Sequence, residues 1–158
     1  MTQDLFVSTR KGLFRFQRAG GKWQQTYVAF LGQPVTAFLA DPRTGHWYAA
    51  LNLGHFGAKL HRSTNQGATW DELAMPTLPK SEDKDAPSLN QIWALEAGGV
   101  DQPGLIWAGS LPAALFRNDR NGEGEWQLVE GLWNLPDRAK WFGGGTDLTP
   151  YYVVPADA

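Results

Sequence analysis

The sequence predicts an all-β chain built from a repeated short-strand unit, and three observations carry that prediction. The composition is rich in large aromatics and turn formers, with 8 Trp, 4 Tyr, 8 Phe, 18 Gly and 10 Pro in 158 residues. Such a mixture suits many short strands joined by tight turns. No stretch shows the apolar period of 3.6 that an amphipathic helix needs. Finally, three segments superpose on one another.

The first segment runs Leu5-Phe-Val-Ser-Thr9, a short turn, Leu13-Phe-Arg-Phe16 and then Trp23. The second runs Tyr48-Ala-Ala-Leu-Asn52, a longer loop, Leu60-His-Arg-Ser63 and then Trp70. The third runs Ile106-Trp-Ala-Gly-Ser110, a short loop, Leu115-Phe-Arg-Asn118 and then Trp126. The offset from Leu to Trp is 10, 10 and 11 residues, and an Arg follows each Leu by two. Another apolar segment precedes the second and third units, at 35–40 and 89–95, giving each four short strands. Four-stranded units recurring every 40 to 50 residues or so are the pattern of β-propeller blades, because one such sheet buries its faces only by stacking on neighbours.

The expected organisation is therefore a partial β-propeller of about three four-stranded blades. Residues 1–33 form a first blade lacking its opening strand, 34–80 the second and 89–136 the third. Residues 81–88 are a solvated loop, and 137–158 a junction in which Leu148 to Val154 can open a further strand. Three blades do not close a ring, since propellers have typically four to eight. The chain then reads as a truncated product or as one protomer of a ring completed by other chains. The end units are as aromatic as the middle one, with Phe6, Phe14 and Phe16 in the first and Trp107, Phe116 and Trp126 in the third. Self-association is the expected consequence. Trp23, Trp70 and Trp126, with Trp47, Trp93 and Trp107, read as core residues, and Arg15, Arg62 and Arg117 as a structural ladder.

Charge and composition exclude several classes of function. With 14 Lys plus Arg against 16 Asp plus Glu, the net charge is −2, which gives no basic surface for nucleic acid or an anionic membrane. No apolar run reaches membrane-spanning length. There is no cysteine and only three histidines, so no disulfide and no metal or cofactor site is called for. The first residues lack the basic and apolar regions of a secretory signal, and a cytoplasmic location is expected.

The hairpin Ser63-Thr-Asn-Gln-Gly-Ala-Thr-Trp70 resembles the Asp-box, also called the bacterial neuraminidase repeat. In that motif an acidic side chain bonds turn amides, a Gly takes positive φ and an aromatic ring plugs the base. The resemblance implies structural roles for Ser63, Asn65, Gly67, Thr69 and Trp70, with Asn65 standing where the motif has Asp. The chain as a whole is similar to the N-terminal part of sialidase-like, glycosyl-hydrolase-like Asp-box propellers, through 50–63, 131–136 and 141–147. True sialidases carry an Arg-Ile-Pro motif that is absent here, so the resemblance implies binding rather than hydrolysis. Residues 141–152 also resemble the signature of oxygen-dependent coproporphyrinogen III oxidase, a haem-biosynthesis enzyme, with Asp147 at that motif's Asp. A fusion or fragment carrying that signature is the reading this second resemblance implies.

Two candidate sites emerge. The first is the loop 53–59, longer than its counterparts, with Gly hinges, His55 as a candidate acid or base, Phe56 to stack on a sugar face, and Lys59. The second joins Arg138, Lys140 and Trp141 to the glycines at 143–145 and to Asp147, where amides and cations suit a carboxylate or phosphate. The sequence thus points to a module binding a carbohydrate or small carboxylate. A protein-interaction scaffold and a glycosyl hydrolase using His55 and Asp147 are the alternatives.

Overall fold

The computed structural model describes residues 3–80, 82 and 88–141. Its described residues form three antiparallel sheets that follow one another along the chain, an all-β partial propeller. β1 (Gln3–Thr9), β2 (Gly12–Ala19) and β3 (Lys22–Ala29) form the first. β4 (Val35–Ala40), β5 (Trp47–Asn52), β6 (Ala58–Ser63) and β7 (Asp71–Leu73) form the second. β8 (Gln91–Ala97), β9 (Ile106–Leu111), β10 (Ala114–Asn118) and β11 (Gln127–Leu128) form the third. A single-turn helix α1 (Glu130–Trp133) and a 3-10 turn (Arg138–Lys140) follow. The 148–154 strand expected from sequence lies outside the described residues. Among the described residues no helix is long and apolar enough to cross a membrane.

Strand register makes the equivalence of the units explicit. Arg15 pairs with Phe6, Arg62 with Tyr48 and Arg117 with Trp107. Thus β1, β5 and β9 correspond, and among the described residues nothing corresponds in the first sheet to β4 and β8. The sequence alignment had matched Leu5, Tyr48 and Ile106. The second unit is in fact displaced by one residue, because pairing to the next strand, not the start of the apolar run, fixes which side chains share a face.

β5 sits between two sheets and is buried on both faces, which explains its unbroken apolar run. Trp47, Ala49 and Leu51 turn toward the first sheet, where Phe6, Tyr27, Phe30 and Trp70 close a cluster around Leu13 and Val35. Tyr48 and Ala50 turn the other way and join Leu60, Ile92, Leu95, Ile106, Ala108 and Phe116. Each fully buried Leu, Ile or Phe here contributes about 1.5–3 kcal/mol from leaving water.

Polar staples lock sheet to sheet. The Tyr27 hydroxyl donates to the Gly67 carbonyl at 2.9 Å and accepts from Trp70 Nε1 at 3.0 Å. Between the second and third sheets, Tyr48 Oη and Arg62 Nη1 each donate to the Asn121 carbonyl at 3.2 Å, and Arg62 Nη2 lies 2.8 Å from Glu123. Burial pushes the Tyr48 hydroxyl up to about 12, so it stays a neutral donor. Trp126 Nε1 donates back to the Ala74 carbonyl at 3.1 Å. A further clamp had no signal in the sequence pattern. Arg43 pairs with the buried carboxylate of Asp41 at 2.9 Å and donates to the carbonyls of Gly99, Gln102 and Leu105 beside the third sheet.

Some expected core residues sit elsewhere. Trp93 is 54% exposed and Trp23 is 47% exposed. Trp23 faces the side on which Trp70 and Trp126 each meet a preceding sheet, and among the described residues no sheet packs there. Conversely Phe6 and Phe116, expected to lie open at the ends, turn inward.

A candidate ligand cleft at the bulged ends of the inner strands

An open cleft of roughly 1030 Å³ lies where the β1–β2 turn, the β5–β6 loop and the entries to β4 and β8 converge. The register of β4 steps from Val35–Leu51 to Ala37–Ala50, leaving Thr36 as an extra residue. The register of β8 steps from Ile92–Ser110 to Ala94–Gly109, leaving Trp93 extra at the corresponding place. A bulge breaks the in–out alternation and re-aims the unpaired side chain. Here it turns Thr36 and Trp93 into the lining of the cleft. Trp93 looked like core because its neighbours Ile92 and Leu95 are buried, and a strict alternation hides a bulge.

The β5–β6 loop supplies the other aromatic wall. Asn52 Oδ1 accepts from the Gly54 amide at 3.2 Å and Leu53 N donates to the Gly57 carbonyl at 3.0 Å, which closes a single 3-10 turn over Gly54–Phe56. Phe56 projects from it and is 80% exposed. Asn52 Nδ2 donates to Gln91 Oε1 at 3.2 Å, joining the loop to β8. On the opposite side the β1–β2 turn contributes Ser8, Thr9 and Arg10, followed by Gln33 from the entry to β4. Arg10 is the one charged side chain among the described lining residues, and none of those is Asp, Glu or His. The lining therefore offers flat apolar rings, amides, hydroxyls and one cation. That is chemistry for holding a ligand.

The residues singled out in the sequence are dispersed. Gly54 and Phe56 line the cleft, while His55 between them is exposed and is not part of its wall. Lys59 lies on β6 with its Nζ 2.7 Å from Glu72. Arg138 stacks over the Trp133 ring at 3.6 Å and donates to the carbonyls of Trp133 and Ala113, which ties the α1 segment to the β9–β10 turn. Lys140 pairs with Asp137, and Trp141 is 46% exposed. Asp147 and the glycines at 143–145 lie outside the described residues, as does most of the 141–152 segment. Among the described residues no group of three or more His, Asp or Glu gathers as a metal site would require.

The 63–70 hairpin is at the other end of β6 from the cleft. Ser63 Oγ accepts from the amides of Asn65 and Gly67, and Asn65 Oδ1 accepts from the Thr69 amide at 2.9 Å. Gly67 adopts φ +89 with Tyr27 and Trp47 packed where a Cβ would project. The third sheet reproduces the turn with a different residue. Asn118 Oδ1 accepts from the amides of Arg120 at 2.8 Å and Gly122 at 2.9 Å, standing in for Ser63. Sequence reading missed Asn118 because a hydroxyl and a carboxamide do not look alike on the page.

No family model matches the chain, and no curated protein matches it. Solved structures do: 9 chains match in fold. One is a β-propeller structure titled "YCF48 bound to D1 peptide", to which this chain is similar with a TM-score of 0.52 and 15% sequence identity. The match covers 80% of this chain and 36% of that one, so the chain spans little more than a third of the neighbour's length, and the shared feature is the fold: a propeller-like arrangement of antiparallel sheets.

Proposed function

We propose that this chain is a ligand-binding propeller module whose cleft holds a short extended polypeptide segment. The observation that carries the reading is Trp93, placed by a bulge with more than half its surface exposed over the cleft and facing the same space as Phe56. Exposed large aromatics framed by polar side chains are the anchors of recognition surfaces. An extended chain would lay side chains on the two rings and its amides on Gln33, Thr36 and Gln91. The neighbouring propeller with a bound peptide lends the reading support. A carbohydrate is the second ligand class, favoured by the same combination of flat rings and amides, and it agrees with the resemblance to sialidase-like propellers.

The two classes separate on paired peptide and glycan arrays, followed by titration of the best binder. Truncating a central Trp anchor costs upward of 2 kcal/mol, so Trp93→Ala should weaken a bound peptide by about thirtyfold. His55→Ala should leave it unchanged. Binding of sugars without peptides would replace the polypeptide reading with the second, and a Trp93→Ala variant that binds as well as the parent would remove the cleft from the function.

A further inference from the structure

The two outer sheets expose complementary halves of the interface that the chain uses twice internally. Inside the molecule, the second sheet turns one face toward the first sheet and the other toward the third. Trp70 donates its indole N–H to the first sheet, and Trp126 donates its own to the second. Trp23 occupies the same place in the first sheet, 47% exposed. Register sets beside it, on the same outer face, Leu5 opposite Phe16, Val7 opposite Phe14, and Phe14 opposite Val28. Leu5 and Val28 are 48% and 40% exposed.

The third sheet shows the converse half. Its outer face carries Trp107 opposite Arg117, the pair equivalent to Tyr48 opposite Arg62. Tyr48 and Arg62 grip a turn carbonyl of the following sheet. Arg117 instead lies 5.9 Å over the Trp107 ring, and among the described residues no turn carbonyl stands to it as that of Asn121 stands to Arg62. One end thus lacks a giver and the other lacks a receiver of the same contact.

We propose that a second copy of this chain occupies these faces head to tail, the third sheet of one copy stacking on the first sheet of the next. Trp107 would cover Leu5, Val28 and Phe14, and Arg117 would reach the β2–β3 turn carbonyls, as Arg62 reaches Asn121. The repeated internal interface names the occupant, since its forward and backward faces are the only ones this geometry has already fitted together. The contact is heterologous, because two different patches meet, so it propagates into a ring or filament and does not stop at a symmetric pair.

Two capped variants test it by light scattering at micromolar concentration. One carries Leu5→Lys with Val28→Lys, the other Trp107→Ala with Arg117→Glu, and circular dichroism verifies the β spectrum of each. Should the second pair of changes disturb that spectrum, Arg117→Glu alone takes its place. The parent should assemble beyond the monomer, each variant alone should be monomeric, and their equimolar mixture should form a two-chain species and nothing larger. A monomeric parent overturns the proposal. So does a variant that still assembles by itself, which indicates like-to-like pairing, or a mixture of folded variants that stays monomeric. None of these outcomes touches the cleft, so ligand binding and assembly succeed or fail separately.

Discussion

Arg43 illustrates how one side chain can set the fit between two sheets. Its guanidinium meets both oxygens of Asp41, whose side chain is fully buried, and three carbonyls of the 99–105 segment. Those carbonyls belong to the link between β8 and β9, so the pair aligns the third sheet against the second. Removing the cation strands a buried carboxylate, which typically costs about 3–5 kcal/mol. Arg43→Ala should therefore lower stability by that order in urea unfolding, with Arg43→Lys losing much of it too, because an ammonium cannot serve five acceptors in one plane. The hydrogen bonds from Arg43 hold the Asp41 carboxyl below its ordinary 3.8 despite burial. A depressed folded value means that this contribution is complete above that ordinary value and disappears as pH falls through the folded one. The acid limb of the stability curve should flatten in Arg43→Ala, and an unchanged limb would place the acid sensitivity elsewhere.

At the scale of the element, the β6–β7 and β10–β11 hairpins do the same work with different chemistry. Ser63 Oγ and Asn118 Oδ1 each accept the amides two and four residues on. Asn118 also donates to the carbonyls of Glu123 and Glu125. Leaving the buried Gly122 amide unpaired costs about 1–3 kcal/mol, so Asn118→Ala should destabilise more than Asn118→Ser, which restores the acceptor. Gly67→Ala combines a positive φ with a collision against Tyr27 and, at 2.9 Å, the Trp47 ring. It should loosen the first sheet as well as the turn, visible as lost near-ultraviolet aromatic signal; a change confined to the turn would mean that the Tyr27 contact carries little. The hairpins also mark what a sequence can disclose. The Leu-to-Trp spacing was legible because strand and turn lengths are conserved by geometry, and so were the three sheets and Phe56 on its long loop. Trp93 and Thr36 were not, since a bulge adds a residue without leaving a compositional mark. The displaced match of Tyr48 has the same origin: apolar runs show where strands are, and only hydrogen-bond register shows which way their side chains face.

The whole molecule is a stack of unequal joints. Among the described residues, ten buried ones knit the second sheet to the third, whereas Leu13, Val35, Ala49 and Leu51, with Trp47 and half-buried aromatics, knit it to the first. Among the described residues the first sheet also has no counterpart to β4 and β8, and its outer face meets no other described element. Stacked repeats behave approximately as units coupled to nearest neighbours, so the weaker joint should open first. Native-state hydrogen exchange on the Leu5→Lys, Val28→Lys chain, which removes any cover from a second copy, can resolve the two joints. Amides of β1–β3 should exchange through a partial opening at lower free energy, while those of β5 and β9 exchange only on global unfolding. Adding Phe6→Ala withdraws the ring packed 4.9 Å from Trp47 and 4.6 Å from Phe38. Phe6 is half-buried, so its loss should cost less than the ~3–5 kcal/mol of a fully buried Phe, most of it felt at the first joint. β1–β3 protection should collapse while β9 stays close to its parent value. The cleft draws one wall from the first sheet and another from β8, so this opening would also dismantle the binding surface with most of the core intact. Equal losses in β1 and β9 would instead show that all three sheets unfold as one cooperative unit.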